Sequence, residues 1–290
     1  MALPKNLPVV DHHCHLSPKG DEVRAAERFR SVGGTHLFLA TQNYEADVPL
    51  SIEGYDRQFE TTCRIARKVH EEVGVRAYPV LAPYPIDLVE ASARLGPAAA
   101  LDLHLSALDL AGRYVREKKA VALGEVGRPH FPVPEEVRQV VETAFRHALE
   151  VARESDCPAV VHSADLSVDG FVELADRARE AGLPPERVVK HYARNRVPPG
   201  SASGAVPSYL ARRDLVREVC HDRGPWFLET DYLDDPRRPG AVLDLATVPR
   251  RALAIADDPE RGAELLWGPF VESVERVYGW RPEVTAEGAE

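Results

Sequence analysis

The feature that most constrains the fold of this chain is a set of short apolar runs, each ending in a residue type that binds metal ions. The runs read VVDHHCHL, AVALGEVG, PAVVHSA, RVVKHYA and WFLETDY. Their ligand-type residues are His13, His15, Glu125, His162, His191 and Asp231. In a parallel β-barrel the carboxyl ends of the strands meet at one face, where such proteins collect their chemistry. The runs therefore predict a metal site at the mouth of a parallel barrel.

Strand-like and helix-like segments alternate along the chain, which predicts an α/β fold of the (β/α)8 TIM-barrel type. The predicted strands cover residues 8–16, 35–42, 75–82, 120–127, 158–164, 187–193, 204–209 and 225–232. The apolar periodicity predicts helices over 20–32, 54–73, 86–95, 98–118, 134–153, 169–181, 208–222 and 249–278. The seventh strand has the weakest pattern, because Pro207 interrupts it. A doubly wound open sheet is the alternative, but it gives no reason for five strands to end in metal ligands.

Length and composition narrow the class of protein. A chain of 290 residues suits one barrel domain over 1–290, with weakly ordered tails at about 1–6 and 283–290. The four cysteines are scattered, and neither a secretion signal nor a membrane-length apolar run is present, so we expect a cytoplasmic protein without membrane contact. A net charge of −10 argues against an extended nucleic-acid-binding surface, although it leaves room for a small anionic substrate or a nucleic-acid end.

The positions of the ligand-type residues in the strands support a role in metal binding. His13 and His15 are two residues apart, so strand alternation predicts that they share a face while His12 and Cys14 point the other way. Asp11 has the same parity and can orient a ligand imidazole or bind backbone at the barrel floor. Glu125 lies in an apolar run, and a buried carboxylate needs a partner such as a metal ion.

Polar residues in the loops after these strands are candidate substrate contacts. Arg128 follows Glu125 and Arg194 follows His191. Guanidinium groups bind phosphate well, so these arginines favour an anionic substrate. Alternatively, these arginines are ordinary residues of surface loops that do not contact substrate. His130, close after Glu125, can reach the site from its loop.

In this order the segments DHHCH, GEVG, VVHS, VVKHY and LETDY resemble the TatD-like metal-dependent hydrolases, the DNase-related branch of the amidohydrolase superfamily. The resemblance runs from residue 11 to the terminal helix. It implies one or two divalent cations, with Zn, Mg and Mn as candidates. The ligand roles that it implies are one cation held by His13, His15 and Asp231, a second held by His162 and His191, and Glu125 bridging both.

Two segments depart from the family pattern. Tyr192 follows His191 where the family usually has an HCF-type segment, and Arg128 and Pro129 stand where GLD usually follows the bridging glutamate. Both segments flank the substrate pocket, so Tyr192 joins Arg128, His130 and Arg194 as a predicted substrate contact.

The expected activity is hydrolysis by a metal-activated water. Asp231 and Glu125 are the predicted catalytic residues, with Asp231 accepting the proton of the attacking water. The favoured substrate is a phosphoester such as a nucleic-acid end or a nucleotide, as for a deoxyribonuclease. An amide or lactone is the alternative, which would not require the arginines. A non-catalytic barrel is less favoured, because buried histidines and carboxylates are costly without a cation. The substrate, the native metal and the oligomeric state stay open.

Overall fold

All eight predicted strands form, and they pair in parallel to build the expected α/β TIM barrel. The computed structural model describes residues 3–257 and 261–284. The strands are β1 (Val10–His15), β2 (His36–Ala40), β3 (Arg76–Leu81), β4 (Ala122–Gly127), β5 (Ala159–His162), β6 (Val188–Ala193), β7 (Val206–Leu210), β8 (Phe227–Glu229) and β9 (Tyr232–Leu233). The seventh strand forms although it contains Pro207.

The last predicted strand is broken into two pieces, and this break closes the barrel. β8 pairs with β7, whereas β9 pairs with β1. Between the pieces, the backbone N–H of Thr230 donates to Oδ1 of Asp11 at 3.1 Å. The N–H of Asp231 donates to the carbonyl of His13 at 2.9 Å. The break therefore places Asp231 beside the histidines of β1.

Helices cover the outside of the sheet. They are α1 (Val23–Ser31), α2 (Ile52–Val73), α3 (Pro85–Leu95), α4 (Pro97–Arg116), α5 (Glu135–Glu154), α6 (Val168–Glu180), α7 (Arg213–Val219), α8 (Thr247–Ala256), α9 (Glu264–Trp267) and α10 (Ser273–Tyr278), with a π-helical turn over Gly268–Glu272. No helix in the described part of the chain is long and apolar enough to cross a membrane.

Two helix predictions need correction. The helix predicted over 208–222 begins only at Arg213, because β7 runs to Leu210. The helix predicted over 249–278 is divided into shorter pieces, and residues 258–260 within it lie outside the described residues. The outermost parts of the predicted tails, residues 1–2 and 285–290, also lie outside the described residues.

β1 does not alternate regularly. Its register against β2 shifts by one residue between Asp11 and Cys14, and a bulge of this kind can place neighbouring side chains on the same face. The His12 ring stacks on Phe227 with centroids 3.9 Å apart. The His13 ring stacks on His191 at 4.2 Å. The prediction that His12 faces away with Cys14 is therefore wrong, because the extra residue in β1 turns His12 into the barrel below His13.

Candidate metal centre

The first group of ligands gathers at one oxygen of the Glu125 carboxylate. Oε1 of Glu125 lies 3.4 Å from Nε2 of His13 and 3.3 Å from Nε2 of His15. Oδ1 of Asp231 lies 3.7 Å and 3.5 Å from the same two nitrogens. His13, His15 and Asp231 thus form a group that can hold a metal ion.

The second group faces the other oxygen of the same carboxylate. Oε2 of Glu125 lies 2.8 Å from Nδ1 of His162 and 2.8 Å from Nε2 of His191. Glu125, His162 and His191 form another group that can hold a metal ion. One carboxylate therefore presents one oxygen to each set of imidazoles, which is the arrangement that a bridging ligand between two cations requires.

This donor set fits divalent cations. The Nε2 atoms of His13 and His15 are 3.2 Å apart, and Nδ1 of His162 is 3.0 Å from Nε2 of His191. Two nitrogen lone pairs at such distances repel each other unless a proton or a cation lies between them. Imidazole nitrogen and carboxylate oxygen are also common ligands of divalent transition metals.

The shifted pKa values of His15 and Glu125 also indicate a site that suits a cation. Burial lowers the pKa of His15, yet the hydrogen bonds with Asp231 and Glu125 outweigh burial and raise that pKa to about 10. Burial works to raise the pKa of Glu125, but the surrounding histidines, led by His191, hold it well below its usual range. The two carboxylates therefore favour a positive charge beside His15, and a bound cation would take the place of the proton there.

Groups behind the imidazoles fix their orientation. Nδ1 of His15 lies 3.2 Å from the carbonyl of Ala40, so a proton on Nδ1 can donate there and leave Nε2 free for a cation. Asp11 accepts from the backbone N–H of His13 at 3.2 Å and from the hydroxyl of Thr230 at 2.6 Å. Of the two roles considered for Asp11, the structure shows backbone binding, which holds β1 against the last strand. Burial raises the pKa of Asp11 to about 8.

Glu229 is an acidic residue of the site that the sequence reasoning missed. It is 0 % exposed, its Oε1 accepts from the backbone N–H of Tyr192 at 2.6 Å, and its Oε2 accepts from the Ser208 hydroxyl. Oε1 also lies 3.5 Å from Nδ1 of His191, although that contact lacks hydrogen-bond geometry. Burial raises the pKa of Glu229 to about 7. A signal was available, because an acid inside the apolar run WFLE, two residues before Asp231, is unusual.

The structure does not bring the Arg128 side chain into the centre. Its guanidinium pairs with Glu142 of α5 at 2.6 Å and 2.8 Å and with Glu173 of α6 at 3.1 Å and 2.9 Å. Only the backbone of Arg128 contacts a ligand strand: its N–H donates to the carbonyl of His162 on β5 at 2.9 Å. The expectation that Arg128 contacts substrate is corrected on this geometry, because two glutamates already occupy its donors.

The other three predicted substrate contacts lie near the mouth. Nδ1 of His130 is 3.0 Å from Nε2 of His162. Tyr192 follows His191 directly and is half-buried. The guanidinium of Arg194 lies 5.8 Å from the centre of the Tyr192 ring and 3.6 Å from Asp165. Their contact with a substrate stays a prediction.

Comparison with known proteins gives a family match over nearly the whole chain. The family model described as TatD related DNase matches residues 10–279. A relative, the uncharacterized protein MJ1127 of Methanocaldococcus jannaschii, is 30% identical over 282 residues, which cover 94% of this chain and 96% of the relative.

Solved structures agree in fold. A TatD-like protein from Archaeoglobus fulgidus has a TM-score of 0.61 at 14% identity, covering 93% of this chain and 100% of its own. The TatD homologue YJJV from Escherichia coli K12 has a TM-score of 0.61 at 17% identity, covering 93% and 98%. A substituted PTE-like lactonase from Deinococcus radiodurans has a TM-score of 0.54 at 16% identity, covering 96% and 98%. At these identities the likeness shows the barrel fold alone.

Proposed function

This chain belongs to the TatD related DNase family and is a metal-dependent hydrolase, and from that premise we propose that it hydrolyses a phosphoester such as a nucleic-acid end or a nucleotide. The observation that carries the proposal is the division of the Glu125 carboxylate between two groups of ligands. Two groups of ligands that share one carboxylate suit phosphoryl transfer, because a pair of cations held there would supply Lewis acidity to the reacting oxygens.

In this proposal His13, His15 and Asp231 would hold one cation, His162 and His191 would hold the second, and Glu125 would contribute one carboxylate oxygen to each. The imidazole-rich set suits zinc better than magnesium or manganese, which prefer oxygen ligands. When bound, the cations supply Lewis acidity that activates water and polarises the scissile phosphoryl group.

Asp231 is the residue best placed to accept the proton of the attacking water. Its side chain is 17% exposed, more than any other of the six ligands, so it faces the mouth from which substrate enters. Burial works to raise its pKa, but the hydrogen bond with His15 and the charges of the nearby histidines hold that pKa below its usual range. The carboxylate therefore stays ionised and can act as a base.

One observation favours the alternative, cleavage of a lactone or an amide. The arginine that most strongly suggested a phosphate, Arg128, is engaged by Glu142 and Glu173. Arg194 is half-exposed near the mouth and is the cation left for an anionic substrate in the predicted set. A small anionic substrate or a nucleic-acid end needs no extended basic surface, in keeping with the net charge of −10.

A substrate screen separates these functions. Protein stripped with a chelator and reloaded with zinc, manganese or magnesium would be offered phosphomonoesters, oligonucleotides, lactones and amides. We expect metal-dependent hydrolysis of a phosphoester and none by the stripped protein. Ready turnover of a lactone or an amide, with every phosphoester untouched, would replace the proposal by its alternative.

A further inference from the structure

His162 is held differently from the other three histidines of the centre. His13, His15 and His191 approach the Glu125 carboxylate with Nε2, whereas His162 approaches it with Nδ1. The remaining nitrogen of His162, Nε2, therefore points away from Glu125. For His15 the remaining nitrogen meets a backbone carbonyl in the barrel wall, but for His162 it meets side chains of two mouth loops.

These two side chains are Tyr84 and His130. The Tyr84 hydroxyl, in the loop between β3 and α3, lies 3.2 Å from Nε2 of His162. Nδ1 of His130, in the loop between β4 and α5, lies 3.0 Å from the same nitrogen. Tyr84 was not singled out from the sequence. Both loops open at the face of the barrel that carries the metal ligands.

The tautomer of His162 links this contact to the centre. A neutral imidazole carries one N–H, so a cation bound at Nδ1 leaves the hydrogen on Nε2. Nε2–H then donates, and the Tyr84 oxygen can only accept from it. The Tyr84 hydroxyl hydrogen is consequently turned away from His162 and is available to another acceptor.

We propose that Tyr84 is a substrate-contacting residue that donates its hydroxyl hydrogen to a phosphoryl oxygen of the substrate, in an orientation set by cation binding at His162. The choice of a phosphoryl oxygen rests on the proposed function. His130 is a positioning residue in this arrangement. It offers Nε2–H of His162 a second acceptor and thereby holds the ring when Tyr84 turns to the substrate.

Binding of inorganic phosphate tests the role of Tyr84 without requiring turnover. Calorimetry on metal-loaded protein would compare the parent, Tyr84→Phe and the matched control Tyr78→Phe, which removes a hydroxyl from β3 near the aromatic cluster of Phe38 and Trp280. We expect Tyr84→Phe to weaken phosphate binding by roughly 3–10-fold, the size of one net hydrogen bond. The control should bind as the parent does. In metal-free protein Tyr84→Phe and the parent should bind phosphate equally weakly.

Metal affinity distinguishes a substrate contact from a structural role. Tyr84→Phe and His130→Ala should each change metal affinity by less than about threefold, because the other partner still accepts from His162. The double variant should lose more than the two single changes combined, since residues that share one partner are not additive.

Three results would overturn the inference. One is a metal-loaded parent that binds no phosphate or binds it no better than Tyr84→Phe. Another is a phosphate affinity of Tyr84→Phe that returns to the parent value when metal is raised. The third is a double variant whose loss is merely additive. The proposed function fails separately, because phosphate binding can follow the expected pattern while no phosphoester is hydrolysed.

Discussion

Single residues at this mouth differ in what they can do because of the atoms that face them. Asp231 and Glu125 are both acids among histidines, yet Glu125 is enclosed on both oxygens whereas Asp231 keeps partial access to solvent. Enclosure suits a bridging ligand, and access suits a base that exchanges protons with water and substrate. The two predicted catalytic acids therefore have different expected roles.

Replacing Asp231 by asparagine tests its role as the base. The amide is nearly isosteric but cannot accept a proton as a carboxylate does, so we expect turnover to fall on the order of 10²–10⁴-fold while the fold is retained. Steady-state kinetics at saturating metal, with thermal unfolding alongside, would measure both. Asp235→Asn is a suitable control, because the Asp235 carboxylate pairs with the exposed Arg237 and belongs to neither ligand group. Near-normal turnover of Asp231→Asn would remove Asp231 from this role.

Burial has the largest effect on the pKa of His104, a histidine away from the centre, and the charge of nearby His147 acts in the same direction. His104 of α4 is buried with no hydrogen-bond partner for Nδ1 in the described residues, and burial lowers its pKa from 6.5 to about 3. As pH falls below 6.5 the unfolded chain binds a proton at this ring and the folded chain does not. Stability is therefore lost as pH falls from about 6.5 towards 3.

His104→Leu should remove this loss. Between pH 7 and pH 5 the unfolding free energy of the parent should fall by about 2 kcal/mol because of His104. The variant should not show this part of the fall. Urea unfolding of metal-free protein at the two pH values measures the difference. His70→Gln, at an exposed position of α2, serves as control. An equal pH dependence in parent and His104→Leu would contradict the prediction.

At the scale of elements, the end of β4 is where backbone freedom matters most. Gly127 has φ +123°, and a Cβ there would lie 2.3 Å from the carbonyl oxygen of His162 on β5. That carbonyl also accepts the backbone N–H of Arg128. Because β4 carries Glu125 and β5 carries His162, a side chain at this position would push two ligand strands apart.

Gly127→Ala should therefore destabilise the protein by about 3 kcal/mol or more, through both the strained φ and the backbone contact. Gly279→Ala is the matched control, since Gly279 has φ +80° with no atom of the described residues within 4 Å of its Cβ position. It should cost only the conformational strain, about 1 kcal/mol. Denaturant unfolding of both variants measures the two losses of unfolding free energy. Equal losses would show that the contact with His162 has no effect on stability.

For the whole molecule, the ligands join parts of the chain that are distant in sequence. β1 supplies His13 and His15. Glu125, His162 and His191 come from β4, β5 and β6, and Asp231 comes from the break between β8 and β9. A cation bound by this set connects the first strand to the last. Metal binding to the folded protein alone should thus stabilise the entire barrel.

Chelation tests this connection. Free metal at 100 times its dissociation constant should add about 2.7 kcal/mol for one site, which corresponds to a Tm rise of roughly 4–5 °C for a chain of this length. Differential scanning calorimetry of stripped and reloaded protein measures the rise. His15→Ala should show a smaller gain than the parent. Unchanged Tm on reloading the parent would mean that the folded centre does not bind the added metal.

The sequence by itself determined the type and order of the strands, most helices and the identity of the residues that surround Glu125. It could do so because these properties are local. A buried strand needs a continuous apolar run, and in a parallel barrel every strand end reaches the same face. The six residues chosen from strand ends were accordingly brought together, and a ring nitrogen of each of the four histidines lies near the Glu125 carboxylate.

Only the tertiary structure decided which partners those residues meet. The bulge that turns His12 inward depends on the register of β1 against β2, and the pairing of Arg128 depends on where α5 and α6 place Glu142 and Glu173. Tyr84 contacts His162 because the loop after β3 places the tyrosine hydroxyl 3.2 Å from the imidazole at the end of β5. Periodicity along a chain reports which face a residue occupies. It carries no information about the register and packing that bring distant side chains within hydrogen-bonding distance.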